Sequence, residues 1–270
     1  MSDDDARAIA TEADPWVALR RHTPARLALG RAGTGLPTAE LLRFAAAHAQ
    51  ARDAVLVPLD VDALVAELHE DAWSTVTVRS RAPDRDAFLC RPDWGRRLDD
   101  DSLARLRTPS AGPVDLAVVI GDGLSSVAVQ CHARPLLAAL RQALDAEGGI
   151  SWAPLSIATQ ARVALADEIG ETLQASLALM LIGERPGLSS PDSLGAYLTY
   201  APRVGCHDAQ RNCVSNIRPD GLPAHAAAAR IAWLIRAALH RRLTGVGLKD
   251  DSPQALAYRT DARLAAARED

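Results

Sequence analysis

The chain has 270 residues, of which 48% are hydrophobic and 24% charged. It can bury a sizeable core as one large α/β domain or two smaller ones, and it is not a disordered, collagen-like or disulfide-scaffold protein. A formal net charge of -4 excludes the electrostatic footprint of a nucleic-acid binder or of a protein that clings to anionic lipid.

Residues 1–22 are mixed and polar, with Trp16 and Leu19 as the only anchors, and read as a frayed or docking arm. The acidic start MSDDDAR has no apolar stretch behind it, and no apolar run approaches the roughly 20 residues of a membrane span, so the chain reads as cytosolic. From Pro37 the pattern turns helical, with Thr38 as N-cap candidate and Leu41, Leu42, Phe44, Ala45, His48 and Ala49 near helical spacing up to Arg52. A second short helix is predicted over 61–69. Residues 74–79, STVTVR, alternate as a strand does, and the Pro- and Asp-rich stretch RAPDRDAFLCRPDWGRRL (81–98) reads as loop and turn. Residues 23–110 thus form an N-terminal helical region with a short β element.

From about residue 111 the character changes. The apolar run 114–120 ends in GDGLSS and enters a helix over 124–147 that should break near Pro135. A second apolar run, 176–182, ends in GERPGLSSPDSLG, and weaker strands are predicted at 155–159 and 196–200. A long amphipathic helix should run from about Pro223 to Leu243 and be closed by Gly245. Buried apolar runs with helices between them predict an α/β fold whose sheet is mostly parallel and covered on both faces. Residues 251–270 form a charged tail.

Five constellations could carry chemistry. In VVIGDGLSS (118–126) a strand ending in Gly-Asp-Gly opens a helix, which suits a phosphate or polar ligand edge, although Asp122 and Ser125 are equally read as turn and N-cap residues. In LIGERPGLSSPDSLG (181–195) Pro186 stops the strand and leaves Glu184 and Arg185 just beyond its carboxyl end, where open α/β sheets bind ligands; internal ion pairs are the alternative. Asp167, Glu168 and Glu171 could be acid/base machinery, but their spacing favours a solvated helix face. In GCHDAQRNCVSNIRPDGL (205–222), Cys206, His207 and Cys213 fit no zinc pattern, whereas Arg211, Asn212, Ser215, Asn216 and Arg218 suggest a hydrogen-bonding loop that walls a large ligand or an interface. RPDWGRRL (91–98) could grip an anion or a partner, or be a tight turn with Trp94 in the core. Lys249 is the only lysine, so arginine richness reflects base composition and is weak support for an anion site. The four cysteines read as free thiols, and no nucleophile elbow, Ser/His/Asp order or H-E-x-x-H occurs, so a self-contained enzyme is the weaker reading.

Taken together, TPARLALGRAG (23–33), LPTAELLRFAAAHAQARDAV (36–55), RPDWGRRL, DGLSS, RVALADEIGE (162–171), GERPGLSSPDSLGAYLTYAPRVG (183–205), RNCVSNIRPDGL (211–222) and TGVGLKD (244–250) resemble the small (light, β) subunit of ethanolamine ammonia-lyase. The resemblance covers about Thr23 to Asp250. It implies a Rossmann-like cobalamin-contacting domain over 111–250 and a partner, the large TIM-barrel subunit, with which the small subunit assembles into a hexamer of heterodimers. The implied enzyme is a carbon–nitrogen lyase that converts ethanolamine to acetaldehyde and ammonia through Co–C homolysis and a 5'-deoxyadenosyl radical. The barrel carries the chemistry, and no catalytic residue is expected on this subunit. Implied cobalamin contacts fall on Val163, Glu184 and Cys213, with Asp122, Ser125, Arg185 and Asn212 as further candidates. No D-x-H-x-x-G signature is present, so the adenosylcobalamin is expected base-on. The resemblance also raises packaging in a bacterial microcompartment, although only a short acidic arm stands where some relatives carry an amphipathic encapsulation segment. The rival from another class is a stand-alone α/β nucleotide-binding enzyme with GDGLSS as phosphate cradle and Asp167 or Glu168 as base.

Overall fold

The two longest apolar runs become the centre of a sheet. In a computed structural model that describes residues 14–23, 25–107 and 112–252, they form β2 (Val114–Gly121) and β4 (Ala175–Gly183). Around them lie β1 (Thr75–Arg79), β3 (Leu155–Thr159), β5 (Leu194–Tyr200) and β6 (Arg211–Ile217), in the order β1-β3-β2-β4-β5-β6. The first four strands are parallel. β5 and β6 add antiparallel pairs, so the sheet is mixed, with three of its five pairings parallel. Much of the arm (1–13) and of the tail (253–270) lies outside the described residues.

Successive residues of β2 and β4 alternate between two cores, which is why both strands read as unbroken apolar runs. Leu116, Val118, Ile120, Leu177, Leu179 and Leu181 pack under α2 (Val61–Glu70), α5 (Ser126–Asp145) and α7 (Ala224–Arg241). Ala117, Val119, Ala178, Met180 and Ile182 face α4 (Asp100–Leu106) and α6 (Leu165–Thr172). β1 pairs with β3 over its whole length, so a strand from the N-terminal region is an edge of the same sheet.

Several expectations need correction. α1 (Thr38–Leu56) runs beyond Arg52, Pro37 rather than Thr38 occupies its N-cap, and Trp16 and Leu19 are exposed rather than anchored. The stretch 81–98 is not all loop. It holds α3 (Arg85–Cys90), started by Asp84, and Asp99 then starts α4; each carboxylate accepts a backbone N–H at 2.8 Å, so aspartates that look like turn residues are helix caps. α5 continues through Pro135, because a buried stripe including Ala133, Leu136, Leu137 and Leu140 offsets the roughly 3 kcal/mol that an interior proline costs. α7 ends at Arg241, where Arg242 adopts φ 56°, before Gly245 is reached. Finally, 211–217 is a strand and not a loop. Arg211, Val214 and Ile217 are buried, while Cys213, Ser215 and Asn216 face outward, and that polar face disguises the strand.

Candidate functional site

The loops after β2, β3 and β4 emerge at one side of the sheet, and two adjoining cavities of about 520 and 400 Å³ lie there. Both are lined by Arg162, Val163 and Tyr197, so they form one groove with these residues at its waist. Cys213 lines the larger end; Glu184 and Arg185 line the smaller, beside Phe88 and Ile182. Of the residues singled out from sequence, Val163, Glu184, Arg185 and Cys213 therefore share one groove.

Glu184 is held by the chain around it. Its Oε2 accepts a bond from Ser193 Oγ at 2.5 Å and from the Asn216 backbone N–H at 3.2 Å, and it forms no ion pair among the described residues. Arg185 is exposed, with no side-chain partner among the described residues. The register of β5 on β6 sets Tyr197 opposite Cys213, and both side chains line the larger cavity. Burial pushes the phenol of Tyr197 far above its usual range, with Cys213 and Glu184 adding to the effect. Burial likewise pushes the Cys213 thiol up against the pull of Tyr197, so Cys213 is a neutral contact and not a poised thiolate. Sequence reading missed Tyr197, which looks like any strand aromatic, and Arg162, whose only signal is its place beside Val163.

Asp122, Ser125 and Asn212 lie elsewhere. Asp122 is buried, and its two oxygens accept the N–H groups of Gln160 and Ala161 at 2.9 Å each, tying the end of β2 to the loop after β3. Ser125 Oγ caps α5 by accepting from Ala128 N–H and donates to the Pro191 carbonyl at 2.8 Å. Gly123, at φ +57°, packs so tightly that an added Cβ would stand 2.3 Å from the Gly183 carbonyl oxygen, so the turn requires glycine at this position. Asn212 clamps the 245–248 turn, donating to the Leu248 carbonyl at 2.7 Å and accepting from Gly245 N–H at 2.8 Å.

Of the three carboxylates expected on a solvated face, Glu171 is exposed, whereas Asp167 and Glu168 are buried. Asp167 forms a bidentate pair with Arg211 at 2.6 and 2.7 Å, with both side chains almost wholly out of solvent. Arg211 also donates to Thr199 Oγ1 and to the Cys206 carbonyl, so one guanidinium joins α6, β5, β6 and the 201–210 loop. Glu168 accepts from Arg97 at 2.8 Å and from the Leu98 backbone N–H at 2.6 Å. Asp167 and Glu168 thus turn inward, Asp167 onto β6 and Glu168 onto the 94–98 turn, while α6 packs against α4. Trp94 is partly buried in that turn under the Arg91 guanidinium, 4.5 Å from its ring centre. All four cysteines are free, and among the described residues no group of three or more His, Cys, Asp or Glu is arranged to hold a metal ion.

Residues 13–249 match the family model described as ethanolamine ammonia-lyase light chain. The chain belongs to that family. It is 54% identical over 250 residues to the ethanolamine ammonia-lyase small subunit of Ralstonia nicotianae, covering 92% of each chain. The small subunit of Azotobacter vinelandii is 56% identical over 255 residues, covering 93% of each, and that of Pseudomonas syringae pv. tomato is 54% identical, covering 90% of this chain and 85% of that one. Membership makes the chain the small subunit of a lyase of ethanolamine degradation, and the word small implies a larger partner. No helix among the described residues is long and apolar enough to cross a membrane.

Proposed function

We propose that this small subunit binds one side of adenosylcobalamin in the groove around Val163 and closes the cofactor against a TIM-barrel large subunit, which holds ethanolamine. In this reading residues 111–250 act as a Rossmann-like cofactor-contacting domain, 1–22 and 23–110 as arm and helical region, and six heterodimers form the enzyme. The observation that carries the proposal is that Val163, Glu184 and Cys213, far apart in sequence, line one groove.

The residues present fit such a group. A corrin offers a broad apolar face rimmed by amides, and the groove supplies apolar walls from Phe88, Val163, Ile182 and Tyr197 with polar groups at both ends. Glu184, fixed by Ser193 and Asn216, has Oε1 left to accept from an amide or hydroxyl. The neutral Cys213 thiol and the Tyr197 phenol give a close wall without a competing charge. When bound, the cofactor supplies radical chemistry through its cobalt–carbon bond. The chain's own part in this reading is to bind, orient and exclude water.

The rival nucleotide-binding enzyme loses its parts: Asp122 and Ser125 are taken by bonds within the chain, and Asp167 and Glu168 are buried in ion pairs. Reconstitution decides the matter. The purified chain should form no acetaldehyde from ethanolamine alone, and activity should appear on adding the large subunit and adenosylcobalamin base-on. Turnover by the chain alone would overturn the reading.

A further inference from the structure

The chain is acidic overall, yet one wall of the groove carries unbalanced positive charge. Phe88 is fully buried between the guanidinium groups of Arg85 and Arg162, 4.7 and 4.2 Å from its ring centre. Arg162 NH2 donates to the Phe88 carbonyl at 3.0 Å, Nε is buried with no acceptor, and NH1 makes no hydrogen bond among the described residues. Arg96 lines the same cavity, is exposed, and has no side-chain partner among the described residues.

The nearby carboxylates do not neutralise this pair. Asp122 pairs with Arg85 at 3.7 Å, and among the described residues no carboxylate lies within ion-pair distance of Arg162 or Arg96. Asp208 faces solvent and is bonded to Arg211, and Glu184 is held by Ser193 and Asn216. Burial lowers the pKa of Arg162, and repulsion from Arg85 and Arg96 lowers it further. A guanidinium kept half-desolvated without a counter-charge is a cost that a bound anion removes.

We propose that Arg162 and Arg96 form an anion subsite of the groove that takes a phosphodiester, the one anionic group in the nucleotide loop of cobalamin. The proposal rests on the cofactor reading above and adds to it the residues that would grip the loop. Two guanidinium groups on one wall suit phosphate oxygens better than the amide rim of a corrin, which Glu184 serves at the other end.

The test is equilibrium binding of cobalamin and of cobinamide, which lacks the nucleotide loop and its phosphate, to the assembled two-subunit enzyme, read by absorbance after gel filtration. Arg162→Gln is expected to weaken cobalamin binding by about tenfold to a hundredfold and to leave cobinamide unchanged. Arg96→Gln removes a side chain with no bond inside the protein, so it leaves folding intact and should act in the same direction. Equal weakening of both ligands, or no change in either with both variants, would overturn the subsite while leaving the cofactor reading in place. A wild-type enzyme that binds neither ligand would remove the cofactor reading itself. Inorganic phosphate separates the two sources of the anion. Competition with cobalamin but not with cobinamide, lost in Arg162→Gln, supports the nucleotide loop; phosphate bound at Arg162 without effect on cobalamin assigns the pair to free phosphate and overturns the proposal.

Discussion

Glu184 shows how one side chain can serve both fold and ligand. Its carboxylate fixes the start of the 184–193 loop through Ser193 and reaches the edge strand through the Asn216 N–H, yet no arginine balances it. The internal ion pair that would have made it purely structural is therefore absent among the described residues. Glu184→Ala in the assembled enzyme is expected to weaken cobalamin binding by about tenfold to a hundredfold, since a hydrogen bond to a charged group contributes roughly 1.5 to 3 kcal/mol. Loss of the Ser193 and Asn216 bonds should also lower the melting temperature of the isolated subunit, by about 2 to 4 °C for each kcal/mol lost in a chain of this size. Unchanged affinity with a lowered melting temperature would assign Glu184 to the loop alone.

At the scale of elements, short helices in the N-terminal region depend on single aspartates. Asp99 caps α4 and lies 3.1 Å from Arg79 on β1, so it joins a helix to the sheet edge. Burial pushes its pKa up, but the bonds from Ser102 and Arg79 outweigh burial and hold it below the ordinary carboxylate value. The sign of the linkage follows: a depressed folded pKa contributes stability that is present above the unfolded value near 3.9 and is lost as pH falls through the folded value. Asp99→Asn is expected to lower stability at neutral pH and to flatten the acid limb of the stability curve below about pH 4 relative to wild type. Chemical denaturation across that range checks it, and an unchanged acid limb would show that Asp99 carries no proton linkage. The same residue explains what the sequence reveals and what it hides. β2, β4 and α7 are legible because each buries a face or stripe long enough to set its own period. The stretch around Asp84 and Asp99 is not, because a cap and a turn use the same residue types. Strand β6 is hidden by its outward polar face, and Tyr197 gains its place at the waist of the groove only through the register of β5 on β6, which is a long-range property.

At the scale of the whole molecule, one element is out of balance with the rest. α1 is 19 residues long and buries only Ala54, while Leu41 and Leu42 are 57% and 64% exposed and Leu36 and Phe44 flank them in the open. Helical stability in proteins comes mostly from tertiary packing, so a helix this bare should open locally far more often than α5 or α7. Its far end is nonetheless tied to the groove. Arg85 donates to the Val55 carbonyl at 2.8 Å, Ser126 to the Val57 carbonyl at 2.5 Å, and Arg26 from the preceding segment to the Leu188 carbonyl at 3.2 Å. Arg26 also lies over the Phe44 ring, 5.8 Å from its centre, so the bare half of α1 is linked to the 184–193 loop that borders the groove. Amide exchange of the isolated small subunit should accordingly show α1 exchanging by local opening while α5 exchanges only with global unfolding, and addition of the large subunit should slow α1 selectively. Equal protection of α1 and α5 in the isolated chain would contradict the first step, and an α1 that stays fast in the assembled enzyme would separate this surface from the subunit interface.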